Sequence, residues 1–130
     1  MKRMVIAVLA VFVAWSVLDF VMHGLILAST YQATAQLWRP MNEMKMGILY
    51  LAVLINALAF VCIYGLLFAE KGIGSGVKYG LLFGLGTGVS MGFGTYSFMP
   101  IPLYLAVVWF IGTLVETLVG GIIVGSIIKK

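Results

Sequence analysis

A single cysteine, Cys62, and a single histidine, His23, are all the soft ligands this chain of 130 residues offers beyond methionine. One cysteine closes no disulfide within a chain. A closed zinc site of four Cys or His ligands is excluded as well. Charge is almost as scarce: Asp, Glu, Lys and Arg together make 9% of the residues, against roughly 25% in a soluble domain, and only four are acids. The nucleotide and hydrolase signatures G-x-x-x-x-G-K-S/T, H-E-x-x-H and G-x-S-x-G are all missing. Cys62 has no histidine at its depth and Ser90 has only carboxylates near it, so neither has a base to activate it. The chain is expected not to be an enzyme and to carry no cofactor.

What is abundant is apolar. Hydrophobic residues make 63% of the chain, mean hydropathy is +1.16, and four stretches reach the roughly 20 residues a spanning helix needs. They run over residues 4–28, 46–69, 79–99 and 103–128, leaving an outer segment at 29–45, a loop at 70–78 and a turn around Pro100 and Pro102. The expected fold is all-α: one transmembrane domain over 1–130, a four-helix bundle. The first apolar run outlasts a secretory h-region, so it is expected to be retained as a span.

Positive residues mark the cytoplasmic side. Lys2, Arg3, Lys71, Lys78, Lys129 and Lys130 fall on one side of the four-span reading, and Arg39 and Lys45 on the other. Both termini are therefore expected in the cytoplasm. The net charge of +4 then reflects topology and contact with the lipid bilayer's head groups, with no nucleic acid partner.

Glycines at 76, 80, 84, 88 and 92 recur every four residues in the third span, and Gly112, Gly120, Gly121 and Gly125 stud the fourth. Lipid gives helices no hydrophobic reason to associate, so small-residue faces act by letting backbones approach. The third and fourth helices are expected to pack through these faces. The "GIGSG" at 72–76 lacks the further glycine and preceding strand of a dinucleotide loop, so no nucleotide partner is expected.

Counting rise from each cytoplasmic charge at about 1.5 Å per residue puts Asp19, Asn56, Ser90 and Glu116 at heights of about 24, 21, 18 and 20 Å. Each span brings one polar group to a similar depth. An acid at mid-bilayer costs roughly 2.5–3.5 kcal/mol on insertion scales and seeks a partner in the bundle interior. Two acids at one depth favour a proton or a cation between them. His23, one turn beyond Asp19 on the same face, is placed to link that pair to outside water. Glu116 lies on a Gly112, Glu116, Gly120 stripe, where missing side chains leave room for water or a ligand. The alternative is structural: Asp19 accepts hydrogen bonds from Trp15, Asn56 or a tyrosine, and His23 caps the outer end.

The outer segment carries Met41, Met44 and Met46, whose thioethers suit Cu(I), while His23 from two chains could ligate haem. No second His or Cys supports a metal site within one chain. Trp38 and Arg39 suit the interface as anchors, with Pro40 ahead of the second span.

The stretches "HGLILASTYQATAQLWRP", "KGIGSGVKYGLLFGLGTG" and "PIPLYLAVVWFIG" resemble a group of small uncharacterised four-helix bacterial inner-membrane proteins, to which no activity is assigned. The resemblance implies placement in the bacterial inner membrane and an uncut first span. In span count and in having a membrane carboxylate the chain also resembles small multidrug transporters. It departs from them because Glu116 lies in the last span and the charge bias argues against dual insertion. The leading expectation is an accessory or assembly subunit, a homo-oligomer or a member of a larger membrane complex. An oligomeric proton- or cation-coupled transporter using Asp19 and Glu116 is the alternative, and a haem- or metal-binding subunit the third.

Overall fold

The computed structural model describes residues 1–129; Lys130, counted above among the cytoplasmic charges, lies outside them. The protein is all-α, with no strand among the described residues. Helix α1 (Lys2–Asp19) widens into a π-helical stretch at Phe20–Ile26, and a short α2 (Ala28–Ala33) follows a break at Leu27. Helix α3 (Met46–Cys62) continues in a π-helical turn, Ile63–Leu67. Helix α4 (Ile73–Val89) does the same over Ser90–Gly94, and α5 (Leu103–Ile127) closes the chain. Three of these, Lys2–Ile26, Met46–Leu67 and Leu103–Ile127, are long and apolar enough to cross a membrane.

Local chemistry sets the ends. Pro102, which lacks an amide proton, sits in an extended conformation immediately before α5, where the missing donor costs nothing. Gly72 has φ 132°, open to glycine and strained for other residues, and it turns the chain between α3 and α4. Helix α4 therefore starts at Ile73, ahead of the expected 79, and the loop is correspondingly shorter. The Lys71 ammonium donates to the carbonyls of Tyr64 (2.8 Å), Gly65 (3.0 Å) and Phe68. It thereby satisfies acceptors at the end of α3 that have no partner within the helix.

Along α1, Val5, Leu9, Val13 and Val17 are each more than half exposed, while Ala7, Val11 and Trp15 on the other face are buried. Such an apolar outer stripe would be a liability in water and is normal against lipid chains. Helix α1 packs between α3 and α5, and α5 packs along α4. One buried cluster, built on Phe60, Val61, Tyr64, Tyr79 and Val124, lies toward the chain termini. A second, built on Met22, Leu27, Leu105 and Trp109, lies at the far end beneath Tyr31, Leu37 and Trp38.

The seam between α4 and α5 is glycine on glycine. A Cβ on Gly76 would meet the Gly121 carbonyl, on Gly80 the Thr117 carbonyl, on Gly84 the Thr117 hydroxyl and on Gly92 the Ala106 carbonyl; on Gly88 it would meet Phe110. Gly121 and Gly125 are equally crowded by the backbone of Gly76 and Gly72. Gly112 and Gly120 differ: the space at Gly112 is filled by Met22 of the π-helical stretch that continues α1, and that at Gly120 by Trp15 of α1 and Phe60 of α3. The stripe through Glu116 thus faces α1 and α3, and the room its glycines leave is taken by those side chains.

Candidate functional site

A cavity of about 290 Å³ lies among all four long helices. From α1 and its continuation come Trp15, Asp19, Met22 and His23; from α3 come Ala52, Val53 and Asn56. Phe83 and Thr87 of α4, Met91 of its π-helical continuation, and Trp109, Thr113, Glu116 and Thr117 of α5 complete the wall together with Leu49 of α3. The structure brings Asp19, His23, Asn56 and Glu116 to one cavity. Ser90 does not join them: Thr87, nearly a turn earlier, lines the cavity and Ser90 does not.

Glu116 is held from its backbone. The Trp15 indole donates to the Glu116 main-chain oxygen at 2.6 Å, an approach made possible by the missing side chain at Gly120. Its carboxylate is less well served, because Oε1 is buried with no hydrogen-bond partner. The Asp19 carboxyl lines the same cavity. None of the donors considered from the sequence bonds Asp19 among the described residues: Trp15 is used as described, the Asn56 amide donates back to the Ala52 carbonyl at 2.9 Å, and the bonded tyrosine hydroxyls, of Tyr31, Tyr64 and Tyr79, pair elsewhere.

A polar chain leads from the acids to the far end. His23 Nε2 stands 3.8 Å from Asp19 Oδ1, and His23 Nδ1 bonds the Tyr31 hydroxyl. That hydroxyl accepts the Trp109 indole N–H at 2.8 Å. Trp109 can only donate, so the Tyr31 hydroxyl donates to Nδ1 and the His23 proton stands on Nε2, the nitrogen that faces Asp19. Burial raises the Tyr31 phenol above its usual range, the Asp19 charge adds to this and the Trp109 bond opposes it; the phenol therefore keeps the proton it donates. Over this chain Trp38 packs edge-to-face on both Tyr31 and Trp109, its indole N–H bonded to Thr34 at 2.8 Å. Arg39 beside it is exposed.

Nδ1 of His23 is thus engaged by Tyr31, while Nε2 faces Asp19 at 3.8 Å, beyond hydrogen-bond length. Among the described residues no group of three or more His, Cys, Asp or Glu gathers to hold a metal ion. Met41, Met44 and Met46 are all exposed.

The sequence reading missed Tyr31, Thr87, Trp109, Thr113 and Thr117. Trp109, Thr113, Glu116 and Thr117 follow a helical 4-3-1 spacing that puts them on one face of α5, a signal available in advance. Tyr31 had no such signal, since it reaches His23 across the break at Leu27. Comparison with protein-family models, with curated proteins and with solved structures finds no match for this chain.

Proposed function

We propose that this protein is a small carrier of a bacterial inner membrane, which exchanges a cation for a proton at Asp19 and Glu116. The observation that carries this reading is the buried Glu116 Oε1, unpartnered in a cavity that Asp19 and His23 also line. A buried carboxylate without a donor is costly, and a proton or a cation is what relieves it. His23 and Tyr31, whose hydroxyl the Trp109 indole orients, then supply a route for protons toward the outer side.

The same proposal includes four spans with both termini in the cytoplasm. Residues 73–94 form a nearly continuous helix of roughly 33 Å at about 1.5 Å per residue, enough to cross the hydrocarbon core. Their glycines lower the hydropathy that would otherwise mark them as a span, while the seam with α5 ties them to a helix that qualifies.

A second reading, self-association or docking in a larger membrane complex, is favoured by one observation. Gly86, Ser90 and Gly94 form a small-residue row left exposed after α4 has packed on α5, and no neighbouring helix crowds Gly86. Such a row allows another helix to approach closely.

The test is proton movement in vesicles that contain the purified protein and an enclosed pH indicator. Adding sodium, potassium or tetramethylammonium on one side should drive a proton response to at least one of them, reduced at least about tenfold in Glu116→Gln. No response to any of the three would overturn the carrier reading and leave the association reading.

A further inference from the structure

The cavity is not sealed on all sides. At the end near the chain termini α3 and α4 are joined by aromatic side chains: Phe60 stacks on Tyr79 at 4.4 Å and meets Phe83 edge-on at 5.2 Å, and the Tyr79 hydroxyl donates to the Phe60 carbonyl at 2.9 Å. Beyond Phe83 the two helices part. Asn56 on one side and Thr87 and Met91 on the other are exposed although they line the cavity. The cap of Tyr31 and Trp38 covers α1 and α5 and leaves this gap uncovered. The opening therefore faces sideways, at the depth of the hydrocarbon core on the four-span reading, and the two carboxylates stand behind it.

We infer that the cleft between α3 and α4 admits an amphiphile from the bilayer, one with a small cationic head and a single apolar chain. The head seats against Asp19 and Glu116, and the chain stays between the helices and the lipid. This rests on the carboxylate reading above and adds the class of substrate and its route.

Three observations select that chemistry. The acids call for a positive partner, and among the described residues the only side chain on the cavity wall that can become cationic is His23, itself 3.8 Å from Asp19. The wall also carries three aromatic rings and two thioethers (Trp15, Trp109, Phe83, Met22 and Met91), and aromatic faces attract alkylammonium groups. At about 290 Å³ the cavity lies at the lower edge of the roughly 300–1,000 Å³ of ordinary ligand pockets, which suits a head group and leaves the chain outside. The lips of the cleft suit a passing apolar chain. Asn56 and Thr87 have turned their donors back to the Ala52 and Phe83 carbonyls, at 2.9 and 2.7 Å, so neither holds an unbonded donor toward lipid except the second amide proton of Asn56.

The experiment uses the full chain in nanodiscs of zwitterionic lipid, with tryptophan fluorescence as readout and three probes: dodecyltrimethylammonium, tetramethylammonium and dodecanol. The tailed cation should quench saturably, and the tail-less cation should bind at least about tenfold more weakly. Dodecanol should give no saturable change, and Glu116→Gln, checked for folding by circular dichroism, should lose the response. Tetramethylammonium binding as tightly as the tailed cation would overturn lateral access but leave the carboxylate site standing. Equal binding of dodecanol would make the cleft a plain apolar groove and overturn the cationic head. Absence of saturable binding in a protein that still moves protons against inorganic cations would overturn the amphiphile alone. A nanodisc mass showing two chains, together with no binding, would give the cleft to a second copy and overturn it too.

Discussion

Helix α4 has two long neighbours and treats them in opposite ways. Against α5 it presents a row of glycines, and the backbones approach until no Cβ fits between them. Toward α3 it presents Tyr79, Phe83, Thr87 and Met91, which touch through side chains at one end and stand apart at the other. In a bilayer, where apolar burial favours no pair of helices over lipid, contact area must come from shape. The same helix is thus held along its length where it lacks side chains and at one end only where it has them, and the cavity occupies the stretch where α3 and α4 part.

Filling the seam should have the largest effect. Gly121→Leu places a branched side chain against the Gly76 backbone and should cost about 4 kcal/mol or more, measured as the shift in a detergent unfolding titration. A loss below about 1 kcal/mol would mean that the seam is looser than described. Next comes the closed end of the cleft. Lys71→Met strips the partner from three carbonyls at the end of α3 and should cost about 2–3 kcal/mol in the same titration, with faster hydrogen exchange at Ile63–Leu67. At the far end, Tyr31→Phe removes the hydroxyl shared by His23 and Trp109. About 1–2 kcal/mol of stability should go with it. Proton movement in vesicles should slow as well, whereas an unchanged rate would take Tyr31 out of the relay. Gly86→Ala should do least, within about 0.5 kcal/mol, because nothing lies within 4 Å of the added Cβ. A large loss there would point to a second helix already seated on that face.

Much of this was legible in the residue order. The four-residue glycine spacing marks the α4 face, and Pro102 and Gly72 mark helix ends. Depth counting placed Asp19, Asn56 and Glu116 at one level, and one cavity holds all three. Depth alone does not give direction around a helix, and this is why Ser90 was misplaced. It stands two residues from both Gly88 and Gly92, about 200° around α4 at about 100° per residue, so it points away from the packed face. That argument needed only the sequence. By contrast, no spacing rule reveals that Gly112 and Gly120 make room for Met22 and for Trp15 and Phe60, since those partners come from helices far away in the chain. Nor does the sequence reveal that α3 and α4 part beyond Phe83, because that depends on which side chains meet between them.

The most direct measurement is an infrared difference spectrum of the protein in lipid, before and after adding the cation that drives proton movement in vesicles. The expected result is loss of a protonated-carboxyl absorption and gain of carboxylate absorption as the cation binds, with no such change in Glu116→Gln. Saturable cation binding that leaves the carboxyl region unchanged would contradict a proton and a cation exchanging at Asp19 and Glu116.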